Sequence, residues 1–160
     1  MKKTFLLVGY GNTLRRDDGA GIRAAELLRL RLSPRACKVV TTQQLLPEMA
    51  SMLPEYEQII FVDAQIGEPA GHVCAQPVTA AAHANDSSIT HQLSPFNLID
   101  LCATLYGDCP QAVLFSITGA DFGYGDTLSQ QILDQMPYLV SRIQAHIVQY
   151  IQSSQFSGAM

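Results

Sequence analysis

Two consecutive acids, Asp17-Asp18, follow an apolar stretch and the turn sequence Gly9-Tyr10-Gly11-Asn12. A third acid, Asp63, closes the apolar run Ile59-Ile60-Phe61-Val62, and an imidazole, His91, stands just before Ser94-Pro95. Each alone has an ordinary structural use. An aspartate at a helix start is a cap or a dipole partner, and an aspartate ending a buried strand can cap the next turn. A histidine beside a helix N-terminus can be purely structural. Brought together, the same groups do chemistry. Carboxylates converging at one edge repel by on the order of 4 kcal/mol per close pair at a surface-like dielectric. A raised pKa, a metal or a cationic partner has to offset that repulsion. Two carboxylates with an imidazole form a mixed nitrogen–oxygen set for a divalent metal, and imidazole suits zinc, copper, iron or nickel.

Only a particular arrangement of elements lets these residues meet. The chain alternates strand and helix patterns. Strands are expected at residues 4–8, 38–42, 58–63, 72–77 and 112–117. Helices are expected at 18–32, where Ile22, Ala25, Leu28 and Leu32 share one face, at 47–53, from Ser94-Pro95 to 106, and at 128–151 with a bend near Pro137. Ser33-Pro34 ends the first helix, and Ser94-Pro95 reads as an N-cap followed by a first-turn proline. Too few residues separate the third and fourth strands for a parallel crossover, which needs about a dozen. The fourth strand is therefore expected to be antiparallel and at or near an edge. A polar loop is expected over 79–90 and a glycine-rich loop over 119–125. The pattern implies an α/β fold, a three-layer α/β/α sandwich around a five-stranded, mostly parallel sheet with one antiparallel strand. Residues 1–152 form one domain, and 153–160 read as a flexible C-terminal tail. In such sheets ligands bind beyond the carboxyl ends of the strands. Asp17, Asp18, Asp63 and His91 all fall there.

Composition narrows the function. The 160 residues suit one domain, and 48% of them are apolar, enough for a sizeable core. A formal charge of −4 gives no electrostatic support for nucleic-acid binding. No apolar run reaches the roughly 18 residues of a membrane span. The run after Met1-Lys2-Lys3 stops at Gly9, too short for the core of a secretory signal. Cys37, Cys74, Cys102 and Cys109 show neither a Cys-x-x-Cys pair nor a zinc spacing. They read as reduced thiols of a cytoplasmic protein.

Two competing readings fail on specific residues. A dinucleotide site needs a third glycine where Leu14 stands and an acid after the second strand, where Thr41 to Gln44 supply none. Asp17 and Asp18 would also face the pyrophosphate. A phospho-receiver domain needs a lysine after its last strand, and the only lysines are Lys2, Lys3 and Lys38. A non-catalytic metal- or peptide-binding α/β module stays open. Asn12, Gln65, Gln92, Ser116 and Thr118 contain no obvious nucleophile–base pair.

The series Leu7-Val8-Gly9-Tyr10-Gly11-Asn12, Leu14, Asp17-Asp18-Gly19-Ala20-Gly21 resembles the opening of the [NiFe]-hydrogenase maturation endopeptidases. Phe61-Val62-Asp63-Ala64 is similar to that family's strand-three motif, and Thr90-His91-Gln92-Leu93-Ser94-Pro95 to its histidine segment. The resemblance implies a peptidase that removes a C-terminal extension from the hydrogenase large-subunit precursor after nickel insertion. It implies Asp18, Asp63 and His91 as the catalytic and metal-binding residues, with nickel supplied by the precursor. Asp17 would shape the loop. Gln43, Gln44 and the 119–125 loop would line the cleft and select the substrate. The stretch 41–48 lacks the Gly or Asp-Gly common in that family after strand two, and 116–123 lacks its Ile-Pro type turn.

Overall fold

The apolar runs become the strands of one sheet in the computed structural model, which describes residues 3–79 and 92–158. The strands are β1 (Lys3–Tyr10), β2 (Cys37–Thr42), β3 (Tyr56–Gln65), β4 (Val73–Pro77) and β5 (Gln111–Thr118), in the order β2-β1-β3-β5-β4. β1 lies parallel to β2 and β3, and β3 parallel to β5. β4 runs antiparallel at the edge, as the short link before it requires, and it pairs with β5 rather than β3. The link 66–72 therefore passes the end of the inserted strand. It is fastened there by the Gly71 N–H on the Thr118 carbonyl (2.7 Å) and the Thr118 N–H on the His72 carbonyl (2.9 Å).

Strand alternation sorts the core into two layers. Phe5, Leu7, Ile60 and Val62 face helices α1 (Ala20–Arg31) and α3 (Gln130–Ser157), meeting Ala24, Ala25, Leu28, Leu139, Val140 and Ile143. Leu6, Val8, Ile59 and Phe61 face α2 (Pro95–Tyr106), meeting Leu53, Leu98 and Cys102. The central strands are apolar on both faces because both are covered. Each large side chain buried there stabilises by about 1.5–3 kcal/mol. The result is the expected three-layer α/β sandwich around a mostly parallel five-stranded sheet. Among the described residues no helix is long and apolar enough to cross a membrane.

Several boundaries differ from expectation, each for a local reason. The helix expected from 18 is preceded by a 3-10 turn, Arg16–Gly19, whose acids bond elsewhere than to α1. The third strand runs to Gln65, so Asp63 lies inside it rather than at its end. The helix expected over 47–53 is two 3-10 turns, Pro47–Ser51 and Leu53–Glu55, because Pro54 has no N–H with which to continue a helix. α3 passes through Pro137 and continues to Ser157, so residues 153–157, expected in the tail, are helical. At α2 the expected start holds. The Ser94 hydroxyl accepts from the Asn97 N–H (3.1 Å), and the Asn97 side chain accepts from the Ser94 N–H (3.2 Å). Most of the expected 79–90 loop, from residue 80, lies outside the described residues, as does His91.

Candidate active site

The glycines of the first turn are there for geometry. Gly11 sits at φ +142, a conformation L side chains rarely adopt, and a Cβ there would lie 1.9 Å from the Asp18 carbonyl oxygen. At Gly21 a Cβ would lie 2.3 Å from the Val62 carbonyl oxygen. Only a missing side chain lets the first turn of α1 rest on the carboxyl ends of β1 and β3. Those two strands flank the point where the strand order reverses, the usual ligand position in open α/β sheets. Asp18 is thereby held at the same edge as Asp63.

A cleft of about 200 Å³ opens at that edge. Asp18 and Asp63 both line it, with Tyr10, Asn12 and Arg15 beside them. Gln43, Gln44 and Leu45 come from the stretch after β2, and Gln92 and Leu93 from the approach to α2. Gln43 and Gln44 were expected here. The 119–125 loop was too, but none of its residues lines the cleft; it packs behind Arg15. Of the polar residues expected at this edge, Ser116 and Thr118 are buried within β5, and the Gln65 amide donates to the Thr118 hydroxyl (3.2 Å). No serine, threonine or cysteine is among the described lining residues.

The acids have different surroundings. One oxygen of the half-buried Asp18 carboxylate accepts from the Asn12 N–H (2.8 Å). Asp63 accepts from its neighbour's N–H at Ala64 (2.7 Å) and is hydrogen-bonded by the Tyr10 side chain. Burial pushes the Asp63 carboxyl up to about 7; the Tyr10 and Ala64 hydrogen bonds oppose that rise, and the charge of Asp18 adds to it. The Tyr10 phenol is itself raised, by burial first and then by the charge of Asp63. Asp17 is fully buried and turned away from this pair. Its carboxylate accepts from the N–H groups of Ala120 (2.9 Å), Asp121 (2.8 Å) and Ser129 (2.8 Å) and from the Ser129 hydroxyl (2.7 Å). Burial alone would raise its pKa, but the hydrogen bonds from Ser129, Ala120 and Asp121 outweigh burial and lower it.

Two carboxylates of the expected donor set thus share one cleft, while His91 falls outside the described residues. Among the described residues no three His, Cys, Asp or Glu side chains gather as a cage for a metal. Gln92, immediately after His91, does line the cleft. Tyr10 and Arg15 were not singled out from the sequence. Alternation offered a signal for Tyr10: Gly9 pairs with Val62, so Tyr10 and Asp63 fall side by side on the Val8 and Phe61 face. Nothing local marks Arg15, whose guanidinium is placed by the Phe122 carbonyl far along the chain.

No family model matches the chain, and no curated protein matches it. Solved structures do. The hydrogenase maturating endopeptidase HybD from E. coli is similar at a TM-score of 0.79 and 19% identity, over 92% of this chain and 93% of that one. A [NiFe] hydrogenase maturation protease, HycI from Thermococcus kodakarensis, is similar at 0.75 and 20%, over 92% and 94%. A hydrogenase 2 maturation peptidase from Thaumarchaeota archaeon SCGC_AB-539-E09 is similar at 0.67 and 21%, over 91% and 98%. The chain therefore has the fold of the hydrogenase maturation endopeptidases along nearly its whole length.

Proposed function

We propose that this chain is a cytoplasmic endopeptidase that removes the C-terminal extension of a [NiFe]-hydrogenase large-subunit precursor after nickel insertion. It recognises the nickel held by that substrate through Asp18, Asp63 and His91. The observation that carries the reading is the meeting of Asp18 and Asp63 in one cleft at the β1–β3 edge. The likeness of the whole fold to solved maturation proteases supports it.

The donor set fits such a substrate. Two carboxylates and an imidazole complete the coordination of a divalent ion that a partner already holds in part. Hydrolysis adds water across one peptide bond: the carbonyl carbon gains the hydroxyl, and the departing amine takes the proton. With no serine, threonine or cysteine among the described lining residues, direct attack by water is the route the cleft favours, with a carboxylate as general base.

The test is incubation with a nickel-loaded precursor, read by mass. Asp18→Asn, Asp63→Asn and His91→Ala should each slow loss of the C-terminal peptide by about 100-fold or more, with the circular dichroism of the fold unchanged. Normal processing by all three variants refutes the site. A precursor left intact by the wild-type protein, across hydrogenases with such extensions, favours a non-catalytic binding module.

A further inference from the structure

Asp17 is the one charged side chain among the described residues with no exposure at all. All four of its hydrogen bonds come from residues more than a hundred positions later in the chain. The backbone reinforces the join: the Asp17 N–H donates to the Asp121 carbonyl (3.0 Å), the Arg16 N–H to Gly125 (2.9 Å), and the Gly125 N–H back to Leu14 (2.9 Å). Arg16 pairs with the Asp121 carboxylate (2.9 Å). Arg15 donates twice to the Phe122 carbonyl (3.2 and 3.0 Å), and its guanidinium lies 5.7 Å from the centre of the Tyr124 ring. Tyr124 is 92% exposed, and Arg15 lines the cleft.

We propose that Asp17 is a positioning residue that locks the 119–129 loop to the 12–18 turn, so that Asp18 and Arg15 in the cleft, with Tyr124 against Arg15 outside it, are held as one unit. The turn is closed on itself by Asp18, which holds the Asn12 N–H, and is fixed to the body of the protein by Asp17. A partner that presses on Arg15 or Tyr124 therefore acts on the mounting of Asp18. The Asp17 pocket is built for a carboxylate, since every group facing it is a donor. An asparagine there would turn an NH2 toward a donor and leave at least one N–H unmatched. The inference rests on the proposed function only for the task given to Asp18.

Asp17→Asn and the milder Ser129→Ala, which removes the hydroxyl donor alone, test it. The readouts are amide hydrogen exchange, titration with Ni2+ alone, and processing kinetics. In Asp17→Asn, exchange should quicken about tenfold or more at Ala120, Asp121 and Asn12, with the amides of β1 and β3 still protected. Ni2+ affinity should fall by about 10- to 100-fold, the usual cost of losing a group that orients a ligand. Processing should lose kcat more than KM. Ser129→Ala should move each readout the same way by less. Loosening at Ala120 and Asp121 with Asn12 still protected and Ni2+ affinity unchanged would overturn the proposal, leaving Asp17 a structural pin. Should Asp17→Asn fail to fold, unchanged Asn12 exchange in Ser129→Ala overturns it equally. A wild-type protein that takes up no Ni2+ counts against the proposed function instead, and Asn12 exchange still decides the role of Asp17.

Discussion

Asp17 and Asp63 are the same residue in two kinds of burial, and the number of donors separates them. Four hydrogen bonds keep the Asp17 carboxyl low despite full burial. Asp63 has fewer, so burial, with the neighbouring charge of Asp18 adding to it, pushes it up to about 7 from an ordinary 3.8. The consequence for stability has a definite sign. A carboxyl raised in the folded state contributes stability that is present below about pH 4 and lost as pH rises through about 7. Arg15 and Tyr10 also line that cleft, and the wild-type protein still carries the cost. Asp63→Asn should therefore raise the melting temperature at pH 8 while abolishing processing, and the gain should vanish toward pH 4. Each pKa unit corresponds to about 1.4 kcal/mol, so the gain is on the order of a few kcal/mol. Equal melting temperatures at pH 8 would contradict it. At this scale the sequence separates Asp18 from Asp17 only by resemblance. Their opposite surroundings depend on Ala120, Asp121 and Ser129, which no local pattern links to either acid.

Among the elements, the contact of α1 with the strand ends bears most on the site. Gly21→Ala should destabilise by about 1–3 kcal/mol or more, since the added carbon would overlap the Val62 carbonyl and push the helix off the sheet. Gly158→Ala is the control. Its added carbon would find only ordinary contacts, at 3.6 and 3.8 Å, and stability should hardly change. Denaturant titrations of the two variants make the comparison, and similar midpoints would refute the close-approach argument. The continuous apolar runs of β1 and β3 and the Ser94-Pro95 helix start were legible because local chemistry sets them. The 3-10 turn at Arg16–Gly19 was not, since distant donors hold Asp17. Nor was the last stretch of α3, which continues beyond the expected end at 151 to Ser157.

Across the whole molecule, alternation of strands and helices made the layering and the antiparallel fourth strand readable. The insertion of β5 between β3 and β4 was not, because spacing says that a strand reverses but not which neighbour it will take. A second titrating group sits far from the cleft. His146 shares a hydrogen bond with the Gln58 side chain (2.7 Å) and meets the Phe115 ring edge-on. Burial lowers its pKa below the ordinary 6.5, with no neighbouring charge contributing. The unfolded chain therefore takes up a proton that the folded one refuses, so the His146 contribution to stability falls as pH drops below about 6.5, against the rise that Asp63 supplies over the same range. His146→Gln keeps a partner for Gln58 and should remove that share, so that stability rises more steeply between pH 7.5 and 5.5 than in the wild type. Asp17, with its lowered pKa, loses its contribution only below about 3.8, so the two windows are separable by urea unfolding at pH 7.5, 5.5 and 3. An unaltered slope between 7.5 and 5.5 in His146→Gln would refute the assignment.

The insertion of β5 also sets a timetable for biosynthesis. A chain leaving the ribosome from its N-terminus presents β1, both acids of the first turn, and β3 well before residues 111–129 exist. Until those arrive, β4 has no strand to pair with and Asp17 lacks all four of its donors. The acids are made well before the residues that complete their mounting. A chain made only as far as β4 exposes carboxylates without a finished cleft, and competence waits for residues 111–129.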